Sequence, residues 1–214
     1  MSSDNINKII KKLCKEIFPK DVFQKGNSRI YIDDNGYYLT VIEFQPITLK
    51  KGAFLNAGVD FLFDKLDFLG CMYAFNGDGR IGNKFIEYIN DEQFENEIRE
   101  YVELANDYIL RYRAFCDIEY AKQCMLNELD DKNWNPYVKS MFYYLTDDTE
   151  NGNKYYEIWS NEEFFKRIIK KYNYPENSSE LSKEYVMNLI RDERAFWHSK
   201  AYMKKMKTYE AYER

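Results

Sequence analysis

One histidine, four prolines and nine glycines in 214 residues set the first exclusions. A single imidazole, His198, cannot form a metal-binding His cluster, and it has no visible nucleophile or orienting partner for catalysis. The four cysteines, Cys14, Cys71, Cys116 and Cys124, are far apart with no C-x-x-C pair, so no zinc site is expected and the thiols read as reduced and mostly buried. The amino-terminal stretch MSSDNINKIIKKLCKEIF carries Asp4 and lysines through its apolar positions. That pattern argues against a signal peptide or a membrane span, and a cytoplasmic protein is the expectation. Basic charge is in the minority: 31 Lys and Arg against 36 Asp and Glu leave a formal charge of -5, which makes nucleic acid an unfavoured partner. The clusters Lys8, Lys11, Lys12, Lys15 and Lys200, Lys204, Lys205, Lys207 read as solvated helix faces.

What is abundant is apolar and aromatic. A hydrophobic fraction of 45% with 20 Tyr and 15 Phe supports a folded core despite 31% charged residues. The excess of Tyr, Asn, Lys, Ile and Phe over Pro, Gly and Ala fits a codon bias. Ile6, Ile9, Ile10, Leu13, Cys14, Ile17 and Phe18 form one helical stripe behind an N-cap at Asp4 or Asn5, and Pro19 ends it. The runs SRIYIDD, YYLTVIEFQ and AFLNAGVDFLF have strand character, and Asn35-Gly36 between the first two predicts a type I′ hairpin turn. A fourth strand is expected at CMYAF and a fifth at KFIEYI.

After Asp91 the periodicity becomes helical, through DEQFENEIREYVELANDYILRYRAF and DIEYAKQCMLNEL. Asn135-Pro136 reads as N-cap and first residue of the next helix, TDDTENGN as a loop, and Ser160 to Glu163 as a capping box before EFFKRIIKKY. Pro175, Ser178 and Ser179 punctuate the entry to a last long helix. Strands followed by helices give an α+β class: an N-terminal helix, an antiparallel β-meander of four or five strands, and a helical C-terminal half packed on one sheet face. The expected division is an α+β domain over residues 1–130 and a helical extension over 131–214.

NGDGRIG places Gly77, Gly79 and Gly82 at the G-x-G-x-x-G spacing. A dinucleotide loop also needs a preceding parallel strand and an acidic residue after a second β-α unit. Neither is present, so two consecutive turn dipeptides, Asn76-Gly77 and Asp78-Gly79, are the reading, and no cofactor is expected. Arg80 remains of interest as an anion partner beside exposed glycine N–H groups.

Alternation along the strands separates two faces. Tyr38, Thr40, Ile42 and Phe44 share one face with Leu55, Ala57, Val59 and Phe61. With the loop centred between Leu49 and Lys50, Glu43 falls opposite Asn56 and Val41 opposite Gly58, so Glu43, Gln45, Asn56 and Asp60 share the other. Carboxylates in partly apolar surroundings can work as acids or bases, which makes Glu43 and Asp60 the enzymatic candidates. The plain alternative is the polar outer face of a half-exposed sheet. Trp197, Phe196 and Tyr185 are spaced as a core stripe, as are Tyr155, Tyr156 and Trp159.

Lys25-Gly26-Asn27-Ser28-Arg29, Glu43-Phe44-Gln45-Pro46 and Leu55-Asn56-Ala57-Gly58-Val59 resemble an uncharacterised bacterial domain-of-unknown-function family (DUF 4304-like) over roughly residues 5–130. The resemblance implies an α+β fold and supplies no reaction. The functional expectation is therefore a binding protein without enzymatic activity, of immunity or accessory type, that engages another protein through acidic and aromatic surface. The alternative is a small-ligand site or hydrolase on the sheet, with Glu43 and Asp60 as carboxylates, Gln45 and Asn56 as orienting groups and Arg80 or Arg29 as anion clamp. No catalytic or metal-binding residue is assigned.

Overall fold

A computed structural model describes residues 2–65, 68–75, 77 and 79–208, with side chains from residue 5 onward. It is an α+β protein that divides into two compact units. Ala114–Glu193 groups with Leu62–Lys65, while the chain from Arg194 belongs to the unit that holds the sheet.

The first unit opens with helix α1 (Ser2–Ile17). Its start lies ahead of the expected cap. Asn5 is inside the helix and bonds Asp91 through its side chain at 3.3 Å, and the side chain of Asp4 lies outside the described residues. Five strands follow, β1 (Phe23–Gln24), β2 (Ile30–Asp34), β3 (Tyr38–Gln45), β4 (Gly52–Phe61) and β5 (Arg80–Glu87), paired antiparallel in sequence order. Helix α2 (Asp91–Arg113) begins with Asp91 and Glu92, acids at the positive end of its dipole. Ile42, Phe44, Leu55 and Ala57 bury one sheet face among Leu13, Ile98, Val102 and Ala105 of α1 and α2, so the other face is left to form a site. Tyr38, on the buried side, closes its polar end by donating to the Tyr112 carbonyl at 2.8 Å.

The register of β3 against β4 pairs Glu43 with Asn56 and Val41 with Gly58, as the loop length requires. Two local expectations fail. The β2–β3 turn is centred on Gly36 and Tyr37, since the Asn35 N–H bonds the Tyr38 carbonyl at 3.1 Å, and Gly36 alone has positive φ, at 91°. A type I′ turn over Asn35-Gly36 is excluded because it needs positive φ at both residues and Asn35 has none; the Asn35 side-chain amide donates to Asp33 and Thr40 instead. CMYAF forms no strand. Tyr73 makes one isolated bridge to Val59, and Cys71 sits at φ 54°, outside extended geometry. In NGDGRIG the Gly77 N–H bonds the Ala74 carbonyl at 3.0 Å, Gly77 and Gly79 have positive φ, and residues 80–82 already lie in β5; Asn76 and Asp78 lie outside the described residues.

The second unit holds α3 (Ile118–Glu128), α4 (Asn135–Leu145), α5 (Thr149–Ser160) and α6 (Glu163–Tyr172), and α7 (Lys183–Ser199) starts in it. Its core is aromatic: the Trp159 ring lies 4.8 Å from Tyr137 and 5.2 Å, edge-on, from Trp134. Tyr137 and Tyr156 donate to the carbonyls of Phe63 and Pro175 at 2.7 Å, so each phenol satisfies its hydroxyl while burying its ring. Helix starts depart from expectation. Trp134 precedes α4 because the Asn135 amide turns to Asp130 at 2.8 Å, and α5 begins inside TDDTENGN because Asp148 accepts from the Asn151 N–H at 3.2 Å. Ser160 closes α5 instead of capping α6, whose cap position is Glu162. Among the expected stripes Trp197, Tyr156 and Trp159 are buried, whereas Phe196 is exposed. No described helix is long and apolar enough to cross a membrane.

Candidate functional site: a polar pocket on the open sheet face

The face of β3, β4 and β5 turned away from α1 and α2 carries a pocket of about 580 Å³. Four of the five residues marked from sequence line it: Glu43, Gln45, Asn56 and Arg80. Strand pairing explains their convergence. Asn56 is the register partner of Glu43 on one side and of Arg80 on the other, so three neighbouring strands aim these side chains at one spot. Asn56 donates through Nδ2 to Glu43 Oε2 at 2.9 Å and to Gln45 Oε1 at 3.2 Å, and its Oδ1 accepts from Arg80 Nε at 3.3 Å. A second guanidinium nitrogen of Arg80, Nη2, donates to Gln45 Oε1. The guanidinium carbon lies 4.0 Å from the centre of the Phe54 ring, a cation–π contact that fixes its plane. A carboxylate and a guanidinium are thus held on either side of one amide, all half-buried.

Asp60, the fifth marked residue, is not in the pocket. It is fully buried, and its two carboxylate oxygens accept from the N–H groups of Gly70 at 2.9 Å and Met72 at 2.8 Å. Burial pushes its carboxyl up to about 6, against the pull of those N–H groups. Its role is positional: it folds the stretch Leu69 to Cys71 into the pocket wall. Gly58 permits the same closure. A Cβ there would stand 2.5 Å from Cys71 Cβ and 2.7 Å from the Tyr73 carbonyl oxygen. Arg29 points elsewhere, to Asn7 at 2.5 Å and the Gly52 carbonyl at 2.8 Å.

Sequence reasoning missed the wall. CMYAF reads as a strand, and no local pattern announces that Asp60, ten residues earlier, will bind its backbone. Alternation puts Phe54 on the face of Asn56, but its place under Arg80 follows from a β4–β5 register that is irregular between Ala53 and Leu55 and that the expected strand KFIEYI does not include.

The chemistry available is recognition of charge of both signs. Among the described residues that line the pocket Glu43 is the one carboxylate. Burial first, and then the neighbouring Asp60 and Glu43 carboxylates, push the Cys71 thiol well above its ordinary range, which favours the protonated form. Among the described residues no group of three or more His, Cys, Asp or Glu could hold a metal ion. Comparison with protein families, curated proteins and solved structures finds no match for this chain.

Proposed function

We propose that this chain is a binding protein whose sheet pocket holds a small zwitterionic, amide-bearing ligand, an amino acid or dipeptide, without transforming it. The observation that carries the reading is the Glu43–Asn56–Arg80 row. Arg80 offers a planar donor for a carboxylate, Glu43 an acceptor for an ammonium group, and Asn56 with Gln45 the amide contacts between them. A volume of about 580 Å³ suits a ligand of this size. Isothermal titration with a panel of amino acids and dipeptides tests it. A saturable ligand whose affinity falls at least tenfold in both Arg80→Ala and Glu43→Gln supports the reading, and tight binding that survives both substitutions removes it.

A second reading, engagement of another protein, is favoured by one feature at the pocket's wall. Phe68 and Met72 are 66% and 50% exposed on either side of the wall residues Leu69 to Cys71. A partner that binds the native chain but not a Phe68→Ser, Met72→Ser double variant would support it; a partner indifferent to both would not. The likeness to a DUF 4304-like family remains part of this proposal and names no ligand.

A further inference from the structure

Two basic clusters at opposite ends of the sequence meet in the first unit. Lys11 and Lys15 on α1, Lys20 just after it, and Lys204 and Lys205 beyond α7 all line one pocket of about 640 Å³. The last two do not lie on a helix, as their composition suggests; α7 ends at Ser199, and a short 3-10 turn, Ala201–Met203, brings them round. Their position is built. Arg194 forms a two-pronged pair with Asp34 at 2.8 and 3.0 Å, and the Lys207 N–H donates to the same carboxylate at 2.9 Å. Tyr202 packs so close to Gly26, at φ 56°, that a Cβ on Gly26 would stand 3.2 Å from Tyr202 Cβ.

All five lysines are exposed, and among the described residues none has an ion-pair partner within 4 Å, unlike their neighbour Lys12, which pairs with Glu95 at 2.6 Å. The nearby acids are engaged elsewhere: Asp21 with Arg113 at 2.8 Å and Glu16 with Arg99 at 2.9 Å. Among the described residues no acidic side chain lines the pocket. Beneath the lysines the floor is apolar, made by Cys14, Phe18, Phe23 and Tyr31. Five like charges held around an apolar floor in a chain of net charge -5 repel one another and gain from a shared counter-charge.

We infer that this pocket binds a small phosphate ester of nucleotide size, its phosphates among the lysines and its aromatic body on the floor. A single carboxylate would answer one ammonium, whereas a di- or triphosphate presents several charged oxygens over the span that the lysines enclose. A nucleic-acid polymer is disfavoured because the lysines ring one depression and the net charge repels a long polyanion elsewhere.

Isothermal titration with ADP, pyrophosphate and adenosine, at low and physiological salt, tests the inference on the full chain. ADP is expected to fill one site, about tenfold more tightly than pyrophosphate or adenosine, and more weakly as salt rises. Lys11→Gln with Lys15→Gln, and separately Lys204→Gln with Lys205→Gln, should each weaken ADP about tenfold with an unchanged melting temperature, because these side chains are exposed. Arg80→Ala, in the other pocket, should leave ADP binding intact. The inference is overturned if ADP does not saturate, if adenosine binds as well as ADP, if only one lysine pair matters, or if a single-stranded oligonucleotide binds while ADP does not.

Discussion

Asp60 is a fully buried aspartate whose carboxylate accepts from the Gly70 and Met72 N–H groups, and the same two bonds hold the pocket wall in place. Its carboxyl titrates near 6 in the folded chain against 3.8 in its ordinary state, so the folded form binds the proton more tightly. The resulting contribution to stability is greatest below about pH 4, declines as pH rises to about 6, and is level above that, with a span of about 3 kcal/mol. The unfolding free energy of the native chain, minus that of Asp60→Asn, should show this decline between pH 4 and 7; equal slopes for the two proteins would place the titration elsewhere. Gly58 is the companion residue. Its hydrogen faces Cys71 Cβ and the Tyr73 carbonyl where a methyl group would stand within 2.7 Å of both, so Gly58→Ala should cost about 1–3 kcal/mol and lower the melting temperature by several degrees. Neither role was legible in the sequence. Alternation put Asp60 on the same face as Glu43, but β4 carries it under the chain that follows, and burial there was a tertiary event.

At the scale of elements, the long strands and the starts of α2 and α3 were legible, and the starts of α1, α5 and α6 were not. β3 and β4 are eight and ten residues long, with a one-sided apolar pattern, and a slip by one residue would turn Ile42, Phe44, Leu55 and Ala57 out of the core. That constraint fixes the register and hence the meeting of Glu43, Asn56 and Arg80. Helix starts depend on which of several Asp, Asn and Ser side chains reaches the free N–H groups, and the composition of TDDTENGN does not distinguish a loop from a capped first turn. Asp117 and Glu162 give the contrast a measurable form. Asp117 accepts from the N–H groups of Glu119 and Tyr120 at 3.1 Å, so Asp117→Ala should destabilise α3 by about 1 kcal/mol. Glu162 stands at the cap of α6 in extended geometry and makes no side-chain capping bond, so Glu162→Ser should stabilise by up to about 1 kcal/mol. Urea midpoints of the two variants, with unchanged m-values, decide the matter; a shift of the same sign in both would refute the capping argument.

At the scale of the whole chain, the sheet unit is assembled from segments that the sequence keeps far apart, and one buried ion pair closes it. Arg194 is 2% exposed and Asp34 4%; besides each other, they hold the Gly36 carbonyl and the Lys207 N–H, so the hairpin turn, the end of α7 and the last described segment share one knot. Removing one partner takes the two-pronged counter-charge from the other's buried side chain, which costs more than the pair itself contributes. Asp34→Ala should therefore lower stability by about 3–5 kcal/mol, whereas joint replacement of Asp34 and Arg194 by apolar residues of similar size should recover part of that loss. Hydrogen exchange separates this from a general weakening: the Lys207 amide, which bonds Asp34 directly, should lose its protection in Asp34→Ala before the β3–β4 amides do. Simultaneous loss at both places would mean that the closing segment and the sheet unfold as one, and that the lysines at residues 204 and 205 owe their position to the whole unit instead of to this tether.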